Sequence, residues 1–189
     1  MTRAAGKASA VRVHRPPQVG TGARAAAGDM TVRPAQRADL DAVIAIDRTV
    51  TGIEKRDYWR SVFRRYANNG QSGRQFLVAD AGGQVAGFVI GEVRDWEFGS
   101  PPCGWVFGID VRPDMRLSGV GTRLLAAICE RFGDYGVQTV RTMLARDNTL
   151  VLSFFRSQGM MAGPFIPLEM DLGQTHEPTA RAMRSARSR

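Results

Sequence analysis

The sequence predicts an α/β fold in which a mixed β-sheet is flanked by helices. Strand-like apolar segments and amphipathic helical segments follow one another in the order β α α β β β α β α β. Two of the strands are joined by a short glycine turn, which predicts a hairpin, and others are separated by a helix, which predicts a crossover. The 189 residues, 43% hydrophobic and 23% charged, are typical of one globular domain.

The first half of the chain supplies a strand, two helices and a hairpin. Residues 31–35 are predicted to form a strand, and the following ADLDAVIAIDRTV a helix with Asp39 at its start. A second helix with an aromatic face is predicted over residues 55–70, closed by Gly70. The segment QFLVADAGGQVAGFVIGEV, residues 75–93, predicts two strands that turn at its central glycines.

The second half begins with a loop rich in glycine and proline and continues with alternating strands and helices. In WVFGIDVRP the apolar residues alternate, which predicts a strand with Trp105, Phe107, Ile109 and Val111 on one side. The remaining predicted elements are a helix that starts at Val120 and ends between Gly133 and Gly136, a strand over 137–145, a helix over 147–159 closed by Gly159, and a last strand over 164–172.

Most of the net charge of +8 lies at the two ends of the chain. Residues 1–29 and 173–189 are basic and lack apolar periodicity, so we expect both to be disordered extensions of a nearly neutral folded domain, residues 30–172. The first extension resembles an arginine-rich transit peptide, although Met30 is favoured as the natural start. Nucleic-acid binding by the ends is an alternative that the scattered arginines support weakly.

Several classes of site are excluded by the residue types present. Cys103 and Cys129 have no spacing typical of a disulfide framework or a zinc site, and Cys129 is expected to be a buried thiol. His14 and His176 lie in the extensions, so we expect neither a histidine-dependent nucleophile nor a metal site in the domain. No apolar run approaches the ~20 residues that span a bilayer, and we expect a cytoplasmic protein.

The segment RLSGVGTRLL, which starts at Arg116, joins a predicted strand to a predicted helix. The first turn of a helix exposes backbone N–H groups without intrahelical partners, and the helix dipole makes that end partly positive. Gly119 and Gly121 remove the Cβ atoms that would keep a phosphate group from those amides. A P-loop lysine is missing here, and Leu124 replaces the third glycine of a dinucleotide fingerprint.

The pattern that fits is RxxGxG, and the segment from Ile109 to Met160 resembles the GNAT acyltransferase superfamily. The motif VxPxxRGxGIG of that family stands here as VRPDMRLSGVG, and DNTLVLSFFRSQGM is similar to its NxxAxxxYxxxGF segment. The resemblance covers residues 30–172. It implies a mostly antiparallel central sheet whose fourth and fifth strands splay apart to form a cofactor cleft.

The resemblance also implies acetyl-CoA as the acyl donor. The family's motif loop holds the pyrophosphate, its fourth strand pairs with pantetheine beside a bulge that Gly108 could provide, and its Asn segment contacts the cofactor. Asn148 has an alternative role as the cap of its own helix. The residues expected by this resemblance to bind the cofactor are Ile109, Val111, Arg116, Leu117, Ser118, Gly119, Val120, Gly121, Thr122, Asn148 and Phe155.

The catalytic groups of two branches of the family are absent. Met143 and Phe155 stand where one branch has Glu and Tyr, and Trp105 stands where another has Glu. The remaining candidates for a general base are Glu92, slightly favoured, and Asp110, whose alternative role is a salt bridge with a nearby arginine. Catalysis by approximation alone is a third explanation.

The sequence therefore predicts an N-acyltransferase that moves an acetyl group from acetyl-CoA to a primary amine in a ternary complex. The amine acceptor, a protein lysine or N-terminus or a small molecule, would contact the segments TGIEKRDYWRSVFRRY and RDWEFGSPPCGW. The alternative is a catalytically impaired module that binds acyl-CoA and regulates a partner. A homodimer is compatible with the sequence, whereas we expect neither a nucleic-acid partner nor a membrane partner.

Overall fold

The computed structural model describes residues 30–67 and 73–172, and the chain divides into two units, residues 1–159 and 160–189. In the first unit the described strands form one sheet in the order β1-β2-β3-β4-β5. Its elements are β1 Met30–Pro34, α1 Leu40–Thr51, α2 Arg56–Tyr66, β2 Arg74–Ala81, β3 Gln84–Arg94, β4 Cys103–Val111, α3 Val120–Gly133, β5 Val140–Thr142 and α4 Thr149–Ser157. Neighbours from β1 to β4 are antiparallel and β4 pairs with β5 in parallel, which confirms the predicted fold class.

Helices α1 and α2 cover one face of the sheet. Their apolar residues recur at helical spacing, and the side chains that point inward are buried against alternate residues of β2 and β3. The ring of Trp59 on α2 packs edge-on against Phe88 of β3, with centroids 5.0 Å apart. This aromatic contact fixes α2 over the middle of the sheet.

Helix α3 packs against the opposite face, where glycines replace larger side chains. A Cβ on Gly104 of β4 would lie 2.7 Å from Cγ of Phe132, and one on Gly91 of β3 would lie 3.1 Å from Cδ1 of Ile128. Both α3 side chains are fully buried. The helix therefore approaches the sheet closely, and its N-terminus is placed beyond the end of β4.

Strand β4 contains a bulge at Phe107. Ile90 pairs with Gly108 and the next residue, Gly91, pairs with Val106, so Phe107 has no partner on β3. The extra residue breaks the predicted alternation: Val106 is buried and Phe107 is exposed. The bulge predicted at Gly108 lies one residue earlier.

The C-terminal strands differ most from the sequence prediction. β5 contains only Val140–Thr142 of the predicted 137–145. In the second unit, residues 160–172 form neither helix nor strand, so the predicted strand over 164–172 is wrong. Pro164 and Pro167 supply no N–H donor, which weakens any strand ladder through this segment.

Two local predictions also need correction. Asp39 does not cap α1 with its side chain; its carboxylate accepts hydrogen bonds from Arg33 and from the backbone N–H of Gln36. Cys129 is half-buried rather than fully buried, and burial raises the pKa of its thiol. Gly70 and the two predicted extensions lie outside the described residues.

Candidate functional site

The loop before α3 presents a row of unpaired backbone amides. Gly119 is the N-cap of α3 with φ +84°, and Leu117 also lies in the left-handed region with φ +63°. The first intrahelical bond of this end runs from the N–H of Arg123 to the carbonyl of Gly119. Within the described residues the N–H groups from Leu117 to Thr122 donate no hydrogen bond to another backbone or side-chain group.

The surroundings of this loop leave room for a ligand on one side and support it on the other. A Cβ on Gly119 would meet no atom within 4 Å, whereas one on Gly121 would lie 3.1 Å from Cε2 of Phe154. The Ser118 hydroxyl donates a 2.6 Å hydrogen bond to the carbonyl of Met115, which stabilises the turn. The amides and the helix dipole make this loop suited to an anion such as a phosphate.

The outer edge of β4 is open beyond its short pairing with β5. The parallel pairs end at Val106 and Thr142, and β4 continues to Val111. The N–H of Arg112 donates to the carbonyl of Ala86 on the β3 side. Because backbone groups alternate in direction along a strand, those of Ile109 and Val111 point to the open edge. A ligand lying on this edge could pair with them as an added strand does.

Asn148 and Phe155 occupy structural positions in α4. The Asn148 side chain accepts a 3.2 Å hydrogen bond from the N–H of Val151 and so caps the helix, one of its two expected roles. Phe155 is only 4% exposed, and its ring contacts that of Phe154. The neighbouring Phe154, which sequence reasoning did not single out, is the aromatic residue that supports Gly121.

Asp110 lies on the α1–α2 face of β4, opposite Phe88 of β3. Burial, together with the nearby carboxylate of Asp47, raises the pKa of its carboxyl group to about 6. Arg116 and Lys55 act in the opposite direction. Asp110 is therefore a carboxyl group that changes charge close to neutral pH, under the influence of Asp47 on α1 and of Arg116 in the loop before α3.

Asp47, which sequence reasoning also missed, belongs to a buried polar cluster beneath α2. It is 3% exposed, accepts a 2.8 Å hydrogen bond from Nε1 of Trp59, and pairs with Nζ of Lys55 at 2.9 Å. A carboxylate buried this deeply needs such partners. This cluster ties the start of α2 to α1 and supplies two of the three charges that act on Asp110, those of Asp47 and Lys55.

Glu92 lies on the same sheet face as Asp110 but nearer the bulge. Its Oε2 accepts a 2.8 Å hydrogen bond from the Tyr66 hydroxyl, and its Oε1 accepts one of 3.1 Å from Nε of Arg94. Burial, followed by the Glu92 carboxylate, raises the pKa of Tyr66 and keeps the phenol neutral. The Tyr66 ring packs against Phe107 with centroids 5.2 Å apart. Glu92, Tyr66 and the bulge therefore form one contact cluster.

Arginines and aromatic rings surround this cluster. The guanidinium of Arg94 lies 4.5 Å from the centroid of the Trp105 ring, and that of Arg74 lies 5.5 Å from the Tyr66 ring. In the loop after β3, Trp96 and Phe98 are exposed in left-handed conformations. The predicted acceptor segments thus contribute Tyr66 and Trp105 to the cluster. Met143, at one of the positions where the family's base is missing, is exposed beyond β5.

The described residues contain no group of His, Cys, Asp and Glu side chains that could hold a metal ion. No described helix has the length and apolar character needed to cross a membrane. The site is therefore characterised by amides, two carboxyl groups and arginines. Backbone amides at a helix start suit an anionic ligand, and carboxyl groups have the chemistry to accept or donate protons.

Comparison with known proteins identifies the family of this arrangement. The model of the acetyltransferase (GNAT) family matches residues 40–160. That range begins at α1 and ends just after α4. It therefore contains β4, both candidate carboxylates and the segment that carries the unpaired amides of residues 117–122 (the amide loop).

Two characterised proteins match part of the chain. An L-2,4-diaminobutyric acid acetyltransferase of Nocardia farcinica is 31% identical over 87 residues, which are 46% of this chain and 44% of that protein. A mycothiol acetyltransferase of Pseudarthrobacter chlorophenolicus is 34% identical over 83 residues, 44% of this chain and 26% of that protein. The matched region thus spans less than half the length of either relative.

Solved structures share the fold at low sequence identity. The aminoglycoside N-acetyltransferase AAC(6')-Iy, determined in complex with CoA, has a TM-score of 0.67 and 19% identity over 76% of this chain and 95% of that chain. The AAC(6')-Ih enzyme from Acinetobacter baumannii has a TM-score of 0.64 and 18% identity over 77% of this chain and 100% of that chain. These similarities support the order of strands and helices described above.

Proposed function

The chain belongs to the acetyltransferase (GNAT) family, and from this premise we propose that it is an enzyme that moves an acetyl group from acetyl-CoA to a primary amine. The observation that carries the proposal is that the unpaired amides before α3 and the open edge of β4 are continuous with each other. The free amides of residues 117–122 suit a pyrophosphate, and the open edge of β4 from Val111 to Phe107 leads from them to the bulge.

These residues fit the donor's chemistry. Gly119, Gly121 and the amides between them would hold the pyrophosphate, with Arg116 beside them and Gly121 supported by Phe154. The outward backbone groups of Ile109 and Val111 would pair with the amides of the pantetheine arm. When bound, acetyl-CoA supplies a thioester that is activated for transfer. Its reactive end would lie near Phe107, because the loop holds the other end.

We propose Glu92 as the group that binds the acceptor's ammonium and takes its proton, directly or through water. Its contact with Tyr66 places it beside Phe107, at the end of the β4 edge farther from the loop. Asp110 lies nearer the loop, yet its raised pKa would make it an effective base near neutral pH. Position favours Glu92 and basicity favours Asp110, and we give more weight to position because proton transfer requires contact.

The names of the relatives suggest the acceptor class. The names L-2,4-diaminobutyric acid acetyltransferase, mycothiol acetyltransferase and aminoglycoside N-acetyltransferase all refer to small molecules, so we propose a small amine as acceptor in preference to a protein. The rival explanation is a module that binds acyl-CoA without catalysis. It is supported by the apolar residues Trp105, Met143 and Phe155 at the family's usual catalytic positions.

The decisive experiment measures release of the CoA thiol from acetyl-CoA by the full chain with a panel of amines. Acceptor-dependent release, with the acetylated amine detected by mass spectrometry, would establish transfer. Binding of acetyl-CoA without release of the CoA thiol for any acceptor would favour the module that binds acyl-CoA without catalysis.

The folded domain over 30–172, the cytoplasmic location and a homodimer stay predictions.

A further inference from the structure

Two arginines flank the aromatic ring beside the proposed reaction centre. The guanidinium carbon of Arg65 lies 5.9 Å from the centroid of the Tyr66 ring, and that of Arg74 lies 5.5 Å from the same centroid. Tyr66 in turn contacts Phe107 of the bulge and Glu92. A molecule that places its amine at Glu92 would therefore meet these two guanidinium groups with the rest of its structure.

Both guanidinium groups are only weakly engaged within the protein. Nε of Arg65 donates a long, 3.4 Å hydrogen bond to the carbonyl of Ser61, and no carboxylate among the described residues lies within ion-pair distance of it. Nε of Arg74 is 3.8 Å from Oε2 of Glu92. Both side chains are exposed, so their remaining N–H groups can bind a ligand.

The charges facing this cluster are predominantly positive. Glu92 is already held by Arg94 at 3.1 Å, and Glu97 also faces Arg94 at 3.8 Å. Among the described residues, Arg65 has no carboxylate within ion-pair distance, and Arg74 has only the long 3.8 Å contact with Glu92. Such a surface attracts a carboxylate through charge-assisted hydrogen bonds and repels an acceptor with several positive charges.

We propose that the acceptor is a small amine that carries a carboxylate, bound by Arg65 and Arg74 while its amine lies at Glu92. This inference rests on the proposed function and narrows its acceptor class to zwitterionic amines. Polycationic amines such as aminoglycosides are disfavoured because the same arginines repel them. Arginine suits the role since its planar guanidinium can bind both oxygens of a carboxylate.

The test compares two acceptors that differ only in the carboxylate, 2,4-diaminobutyrate and 1,3-diaminopropane. Turnover is measured with saturating acetyl-CoA, and binding of each acceptor to the CoA-saturated full chain is measured by calorimetry. The variants are Arg65→Gln, Arg74→Gln and the double substitution, with Arg37→Gln as control. Arg37 is an exposed arginine in the turn before α1.

We expect the wild type to favour 2,4-diaminobutyrate by about tenfold or more in kcat/KM, as one charge-assisted contact would supply. The double variant should lose this preference through a higher KM for 2,4-diaminobutyrate. Its KM for the dicationic 1,3-diaminopropane should fall or stay equal, because the repulsion by the two arginines is removed. The Arg37→Gln variant should behave like the wild type. If Arg74→Gln does not fold, the Arg65→Gln variant should show part of the same loss.

Equal or better use of 1,3-diaminopropane by the wild type would overturn the inference, as would a preference that survives in the double variant. Absence of turnover with both acceptors would count against the proposed function. In that case calorimetry still decides the inference. Tighter binding of 2,4-diaminobutyrate that depends on the arginines supports it, and equal binding or no binding of the two acceptors contradicts it.

Discussion

The hydroxyl of Tyr66 donates a 2.8 Å hydrogen bond to Glu92, which joins the last turn of α2 to the end of β3. The two residues are 26 positions apart in the chain. Neither is part of a recognisable motif, yet their contact lies beside the β4 bulge at Phe107. This relationship gives the chain a carboxylate at the expected reaction centre despite the apolar residues at the family's usual catalytic positions.

Glu92→Gln should lower kcat for acetyl transfer by about 100-fold, because the amide cannot take the proton of the acceptor. Binding of acetyl-CoA should be unchanged, since Glu92 is remote from the amide loop in the proposed arrangement. Steady-state kinetics with calorimetry of acetyl-CoA binding measure both effects. Glu97→Gln is the matched control, as Glu97 also faces Arg94 but is more exposed. A similar loss in both variants would contradict the role of Glu92.

Gly119→Ala should raise the Kd for acetyl-CoA about tenfold, a change of ~1.4 kcal/mol. The added Cβ would occupy the open space beside the unpaired amides. Gly136→Ala is the matched control, because Gly136 also has a positive φ and open space but follows the other end of α3. Both variants should lose similar stability, on the order of 1–2 kcal/mol. Equal affinities for acetyl-CoA would show that the amides do not bind the donor.

Asp110→Asn should stabilise the fold above pH 6 by roughly 1–3 kcal/mol and have little effect near pH 4. The folded pKa of about 6 exceeds the ordinary 3.8, so the folded protein retains a proton that the unfolded chain has released. The contribution of Asp110 to the stability of the wild type therefore falls as pH rises from about 4 to 6. Urea unfolding across this range measures the difference between wild type and variant.

The control for this pH dependence is Asp114→Asn. Arg112 lowers the pKa of the exposed Asp114 carboxyl, so any contribution of this group has the opposite sign. A difference between wild type and Asp110→Asn that stayed constant from pH 4 to 7.5 would contradict the assignment of a raised pKa to Asp110.

Gly104→Ala should destabilise the protein by about 1–3 kcal/mol, because the new Cβ would overlap the buried ring of Phe132. Gly108→Ala on the same strand should change the free energy of unfolding by less than about 0.5 kcal/mol, since the nearest atom to its Cβ belongs to Phe88 at 4.0 Å. Denaturant midpoints compare the two variants. Equal effects would show that α3 does not approach the sheet as closely as described.

Local sequence patterns were sufficient for most of the fold. The turn at Gly82 and Gly83 specifies the hairpin, and the apolar stripe of α3 specifies its buried face. The amide loop was predictable for the same reason, because its glycines and its position before a helix are local features. The strand predicted over 164–172 is wrong because Pro164 and Pro167 supply no N–H donor to a strand ladder.

The contacts between distant elements were beyond local patterns. The aromatic face of α2 was visible in the sequence, but nothing local pairs Tyr66 with Glu92 or Asp47 with Trp59. The perturbed pKa of Asp110 likewise depends on burial and on charges from α1, the segment before α2 and the amide loop. Such relationships arise only when the sheet and helices are assembled.

Transfer from acetyl-CoA to an amine can be tested by following CoA release from acetyl-CoA by the full chain in the presence and absence of 2,4-diaminobutyrate. We expect release that requires the amine, yields the acetylated amine in equal amount and falls about 100-fold in Glu92→Gln. Failure of acetyl-CoA to bind, shown by an unchanged melting temperature and no calorimetric signal, would contradict both the assigned donor and the role of the amides.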